Sequence, residues 1–151
     1  MKPPHLPLKG ECRCGRVKVE ITADPIMTAA CHCVGCQKMS ASAFSMTAIM
    51  PADGFRVSQG EPVIGGNHAP DLHHYHCPHC KSWMFTRADV MPGFVNVRPS
   101  LFDVRDWFVP FIETMTRDKL PWATTPARHR FEEFPPPESF GPLMAEFAAS
   151  S

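Results

Sequence analysis

Cys31-His32-Cys33-Val34-Gly35-Cys36 puts three thiols into one short stretch, with a glycine in the last turn that lets the backbone curl around a common centre. Two further clusters flank it, Cys12-Arg13-Cys14-Gly15 upstream and Cys77-Pro78-His79-Cys80 downstream, and together they hold all 7 cysteines of the chain. A tight turn that presents two thiolates at a shared distance is what a soft divalent cation requires. The count divides naturally: two simple pairs close a four-thiolate tetrahedron on Cys12, Cys14, Cys77 and Cys80, and the triple is left one ligand short. A closed set reads as structural, whereas three protein ligands on zinc leave a position for water or substrate. Buried unliganded cysteine and a rubredoxin-like iron site are the competing readings of the same thiols. Three clusters at ligand spacing make packing alone a poor account, and although ligand type alone does not separate zinc from iron, zinc is favoured.

Outward from the clusters, the chain reads as short strands broken by turns. Arg16 to Thr22 alternates, with Val17, Val19 and Ile21 on one face and Lys18, Glu20 and Thr22 on the other. This predicts a half-buried strand. Gln37 to Ser42 reads as a short helical turn beginning beside the central cluster. Phe44, Met46, Ala48 and Met50 fall at period two and predict a strand, and Phe55-Arg56-Val57 starts another. Leu72 to His76 and Trp83 to Thr86 predict a hairpin whose turn carries Cys77 and Cys80. Gly65-Gly66-Asn67 marks a loop, Phe94 to Val97 a strand, and Phe111 to Thr116 a strand-like segment. Leu101 to Trp107 is ambiguous, with Asp103 and Asp106 suited to a loop. Beyond Pro135-Pro136-Pro137, an extended spacer, Phe140 to Phe147 predicts one short helix packing back on the body. The 17 prolines, roughly double the average usage of about 5%, and 9 glycines argue for many turns and little long helix. The expectation is an all-β fold in a single domain over residues 1–151, of which about 135–151 form a proline-rich extension.

Several function classes are disfavoured. Formal net charge is zero with no basic run, so the electrostatic footprint of a nucleic-acid binder or a polybasic membrane anchor is missing. No apolar run approaches the roughly 18 residues of a spanning helix. Met1-Lys2-Pro3-Pro4-His5 lacks an apolar signal core, so a cytoplasmic location is expected. There thiols stay reduced, and an odd cysteine count fits a full disulfide scheme poorly.

Among the remaining residues, His32, His76 and His79 are open as a completing fourth ligand. In an extended segment, however, His32 points opposite to Cys31 and Cys33. The histidines at 73, 74, 76 and 79 are read as surface or knuckle residues. Phe44, Trp83, Phe94 and Trp122 are read as core rather than as a substrate platform. Lys38, just beyond the triple, is a candidate cation for an anionic ligand.

Taken together, Gly10-x-Cys12-x-Cys14-Gly15, Cys31-His32-Cys33-x-x-Cys36 with Lys38 and Ser40, Ser42-Ala43-Phe44, Cys77-x-x-Cys80 and Pro121-Trp122 resemble the glutathione-dependent formaldehyde-activating enzyme family, which also includes centromere protein V. They follow the family's order from residue 10 to about 123. The resemblance implies a coiled multi-sheet β-tent related to Rab-exchange-factor-like zinc folds. It implies a structural zinc on Cys12, Cys14, Cys77 and Cys80, and a second zinc on Cys31, Cys33 and Cys36 beside the place where glutathione's thiol acts. It further implies a carbon–sulfur lyase of the S-(hydroxymethyl)glutathione synthase type, joining a small thiol such as glutathione to formaldehyde or another small aldehyde. Glutathione's carboxylates would then need donors such as Lys38 or backbone N–H groups in Gln37 to Ser42. Two departures stand out: Lys81 occupies the position where the family has glycine after the last cysteine pair, and Ser100 to Phe108 only loosely resembles the family's glycine-leucine-aspartate segment. A non-enzymatic zinc module for protein partners and an iron–thiolate redox protein are the alternative functions.

Overall fold

The computed structural model describes residues 5–66, 69–103 and 107–150. Among them the strands form two sheets. The smaller sheet joins β1 (Leu8–Glu11), β2 (Lys18–Ile21) and β5 (Phe55–Gln59), all antiparallel. The larger contains β3 (Met27–Cys31), β4 (Ser45–Pro51), β6 (Val63–Gly65), β7 (Leu72–His76), β8 (Trp83–Ala88), β9 (Phe94–Val97), β10 (Ile112–Thr114) and β11 (His129–Arg130). Its order is β11-β10-β3-β4-β9-β8-β7-β6. The β10 strand runs parallel to both β3 and β11, and the other pairings in this sheet are antiparallel. Two short helices complete the chain, α1 (Val34–Ser40) and α2 (Phe140–Ala149). This is the expected all-β fold. No helix among the described residues is long and apolar enough to cross a membrane.

Period two explains the main core. Val17, Val19, Ile21 and Phe55 turn inward from the small sheet and meet Ala48, Met50, Phe85, Val95 and Val97 from the large one, with Phe102 in the same cluster. Cys12 and Cys77 are buried in the same core, so the outer cysteine pairs sit where the two sheets meet. Gly10 is required on β1, because a Cβ there would lie 2.5 Å from the Phe102 ring. A second core forms where Leu143 and Phe147 of α2 cover Met27 and Ala29 of β3 and Ile112 of β10. That is the predicted packing of the C-terminal helix.

Some expectations needed correction. Glu20, assigned to the exposed face of β2, is buried and bound by the Arg56 guanidinium. The strand β4 is covered on both faces, so Ser45 and Thr47 are buried as well as Ala48 and Met50. The strands β1, β6 and β11 carry too few alternating apolar residues to announce themselves. Asn67 and residues 104–106 of the Leu101 to Trp107 stretch lie outside the described residues; Pro99–Leu101 is a single 3-10 turn.

Candidate metal centres

The first cluster is built from two facing knuckles. After β1 the chain turns through Cys12-Arg13-Cys14-Gly15, where the Gly15 amide donates to the Cys12 carbonyl at 2.9 Å and Gly15 takes φ 74°. The Val17 amide donates to Cys12 Sγ at 3.3 Å. In the β7–β8 turn, the Lys81 amide donates to the Cys77 carbonyl and the Cys77 amide to the Ser82 carbonyl, both at 3.0 Å. Lys81 adopts φ 61°, which accounts for the glycine the family prefers there. Its ammonium returns to the Pro78 carbonyl at 2.6 Å. Ser82 ties the knuckles together, since its hydroxyl accepts from the Arg13 amide at 3.2 Å and meets Cys80 Sγ at 3.2 Å.

All four sulfurs lie within 4.8 Å of one another, with Cys12–Cys14 at 3.6 Å and Cys14–Cys77 at 3.8 Å. A tetrahedron with zinc–sulfur bonds of about 2.3 Å has edges of about 3.8 Å, so these donors fit that ion. Their ionisation points the same way. Burial pushes the Cys12 thiol up, but hydrogen bonds from Val17 and the neighbouring cysteines bring it below its ordinary value. The opposite holds at Cys14. There a backbone hydrogen bond at Arg16 lowers the pKa, but burial and the sulfurs of Cys12, Cys80 and Cys77 push it up to about 11. Without a cation, crowded sulfurs cannot all be thiolates at once.

The second cluster follows from the end of β3 into α1. Cys31 is the last residue of β3, and Cys33 is the N-cap of α1, its sulfur accepting from the Cys36 amide at 3.3 Å. Cys31, Cys33 and Cys36 all present sulfur within 4.8 Å of one another. A shared hydrogen with Cys36, opposed by burial and aided by Thr114, brings Cys31 down to about 5. Cys36 is pushed far above the ordinary thiol range by Cys31 and by burial. Burial, together with the Cys31 charge, also raises Cys33. Three sulfurs that allow one ionisation among them are again a donor set that fits a soft cation.

His32 does not complete this set. It is fully buried on the other side of the strand, where its Nε2 lies 3.1 Å from Glu113 Oε1. Glu113, also fully buried, sits on β10 opposite Ala30 and collects Lys119 Nζ at 2.8 Å, Thr125 Oγ1 at 2.9 Å and Arg130 Nε at 3.0 Å. Burial alone would raise this carboxyl, but the hydrogen bonds from Lys119, Thr125 and His32 hold it below the usual range. The network clamps β10 to β3 directly behind Cys31. Gln37 adds a second clamp, its side-chain amide donating to the carbonyls of His32 at 2.7 Å and Asp118 at 3.0 Å. His32 and Glu113, 81 positions apart, meet only through the parallel β3–β10 pairing, which no local pattern in the sequence marks.

The other histidines are likewise not grouped with the cysteines among the described residues. His74, expected at the surface, is buried against Thr86 at 2.9 Å, and His76 stacks on Trp83. Phe44 and Phe94 are half-buried. Trp122 departs most from expectation, being 72% exposed. It borders a cleft of about 470 Å³, shared with Val34, Gln37, Lys38, Ala43 and Leu120. Lys38 lines this cleft two residues beyond Cys36, whereas none of the three cysteines of the triple lines it. The amide hydrogens of Gln37, Ala41 and Ser42 are not open to a ligand, because they are engaged by the Cys33 and Gln37 carbonyls.

Comparison with known proteins agrees with this architecture. The family model described as glutathione-dependent formaldehyde-activating enzyme matches residues 7–118. A crystal structure of a Rhodobacter sphaeroides protein aligns with a TM-score of 0.55 at 18% identity, covering 66% of this chain and 92% of that one, a likeness of fold. No curated protein matches the sequence significantly.

Proposed function

Since the chain belongs to the glutathione-dependent formaldehyde-activating enzyme family, we propose that it joins a small thiol, with glutathione as first candidate, to formaldehyde or another small aldehyde as a zinc-dependent carbon–sulfur lyase. The observation that carries this reading is the unequal division of the cysteines. One cluster offers four sulfurs and the other three, and the helix that carries Cys36 borders a cleft through Val34, Gln37 and Lys38. In this reading Cys12, Cys14, Cys77 and Cys80 hold a structural zinc, while Cys31, Cys33 and Cys36 hold a second, labile one. Zinc at the triple would keep an added thiol as thiolate at neutral pH, where a free thiol of pKa about 8.5 is mostly protonated.

The reaction forms one carbon–sulfur bond and breaks the carbonyl π bond; the proton lost by the thiol ends on the former carbonyl oxygen as the hemithioacetal hydroxyl. The chain's own residues bind and orient. Lys38 offers its ammonium to a carboxylate of the thiol compound, and the apolar wall of Val34, Ala43, Leu120 and Trp122 takes its uncharged parts. Holding thiol and aldehyde together supplies proximity that dilute solution lacks. The His32–Glu113–Lys119 clamp keeps Cys31 in register with Cys33 and Cys36.

The test is the rate of hemithioacetal formation from formaldehyde and glutathione with and without protein, including Cys33→Ala. An accelerated rate that the variant loses supports the enzyme. A wild-type protein that neither binds the thiol nor exceeds the uncatalysed rate with any small aldehyde leaves the zinc module for protein partners in its place.

A further inference from the structure

Arg98, just after β9, is 7% exposed, and among the described residues every hydrogen bond its side chain makes goes to a neutral group. Its Nη1 donates to the Met46 carbonyl at 3.1 Å and to Thr47 Oγ1 at 2.7 Å, and its Nη2 to Thr86 Oγ1 at 3.2 Å. The guanidinium lies 3.8 Å from the centre of the Trp83 ring, and its Nε has no partner. Among the described residues no carboxylate pairs with it. Guanidinium keeps its proton at neutral pH even when burial lowers its pKa, here to about 10, so the fold encloses a cation. An enclosed cation without a counter-anion is strongly unfavourable.

The strand register brings the triple to the same face as Arg98. Thr47 and Ser45 alternate onto one face of β4, and Ser45 stands directly across from Cys31 of β3. Ser45 is buried, its hydroxyl has no oxygen or nitrogen partner, and it faces Cys36. Arg98 therefore lies on the same face of the sheet as the triple, two residues along β4 from Ser45. Cys36 and Cys31 are the groups whose charge, when they are ionised, favours the guanidinium there.

We propose that Arg98 is the internal counter-cation of the Cys31–Cys33–Cys36 centre, a positioning residue that lets three thiolates, and a fourth from the added thiol, gather on one divalent ion. Three thiolates on a dication carry a net charge of −1, and a fourth thiolate makes it −2. A fixed positive charge behind the site favours both steps, and hydrogen bonds to neutral acceptors keep it from collapsing onto a single sulfur. The outer cluster, of which Cys12 and Cys77 are buried and Cys14 is exposed, has in its knuckles only the exposed cations Arg13 and Lys81, and serves as an internal control. This inference rests on the triple being a metal site.

The experiment is zinc competition against a chromophoric chelator on the full chain, resolving the two sites, for wild type, Arg98→Met and Arg98→Lys. A charge acting over several ångströms at the effective dielectric of a protein interior predicts a loss in affinity at the triple of about tenfold to a hundredfold in Arg98→Met. The four-cysteine site should be unchanged, and Arg98→Lys should recover most of the loss. Equal weakening of both sites, or an unchanged triple in Arg98→Met, overturns the proposal. If Arg98→Met does not fold, Arg98→Lys decides: affinity at the triple within about threefold of wild type supports the charge, and a loss beyond tenfold refutes it. A wild-type triple that takes up no zinc ends the metal-site reading itself, and this inference with it, whereas a zinc-binding triple indifferent to Arg98 ends only the inference.

Discussion

Replacing Glu113 by glutamine keeps the shape of the side chain and removes its charge from a fully buried site that gathers His32, Lys119, Thr125 and Arg130. Removing one partner of a buried ion pair typically costs about 3–5 kcal/mol, because the remaining charge is left enclosed. Lys119 and Arg130 are 22% and 53% exposed and can turn partly to water, which places the cost near the lower end, about 3 kcal/mol. For a chain of this length that corresponds to a fall of about 6–12 °C in Tm. The pH dependence has a definite sign. The carboxyl is held below its ordinary value of 4.5, so its contribution is complete above that pH and disappears as pH falls through the lower folded value. The gap between wild type and Glu113→Gln, measured by urea unfolding at a series of pH values, should therefore be widest from neutral down to about 5 and narrow below 4.5. A cost under about 1 kcal/mol at neutral pH, in the range of an exposed pair, or a gap that widens in acid, would refute the network as the clamp on β3.

Cys12→Ala or Cys77→Ala should abolish folding or solubility, while Cys33→Ala stays folded and inactive; equal losses of thermal stability in all three would contradict separate roles. Zinc binding to small finger peptides contributes about 10–16 kcal/mol, more than most domains' net stability, which sets the scale of the first effect. Lys81→Gly should raise stability by about 1 kcal/mol by relieving the left-handed backbone at φ 61°, a gain read from the urea midpoint, and a decrease would show that the Lys81–Pro78 contact dominates. Trp122→Ala and Lys38→Ala should change Tm little, since neither side chain is buried, yet raise the KM for the thiol several-fold if the cleft seats it; unchanged KM in both would remove the cleft from the site.

What was legible in the sequence is what local chemistry determines. Cysteines two or three positions apart can share one turn, so each pair and the triple could be read from spacing, whereas the joining of Cys14 to Cys77, 63 positions on, rested on the count of thiols and the family resemblance. Period two likewise exposed β2 and β4, and the Cys77–Cys80 turn between two short strands exposed the β7–β8 hairpin. The rest depends on distant segments. The polar partners of Arg98 come from β4 and β8, and nothing in Val97-Arg98-Pro99 marks the arginine as buried. Glu113 reads as an ordinary strand-face charge until β10 lies parallel to β3. Trp122 shows the converse: size suggested core, but the turn that carries it projects from the cleft rim. The edge strand β11, two residues long, exists only because β10 offers it a partner.

The central claim is that the seven thiols divide into a closed set of four and an open set of three that accepts an external thiol. It is tested most directly by loading the triple with cobalt(II), keeping zinc on the other four cysteines, and following the visible absorption while glutathione is added. The account predicts a saturable change in the ligand-field and sulfur-to-cobalt charge-transfer bands at one glutathione per chain, tightening as pH rises toward the thiol's pKa because binding releases its proton. A spectrum that stays constant through the addition, from a triple that does hold the metal, would mean that its fourth position is already filled and would contradict the account.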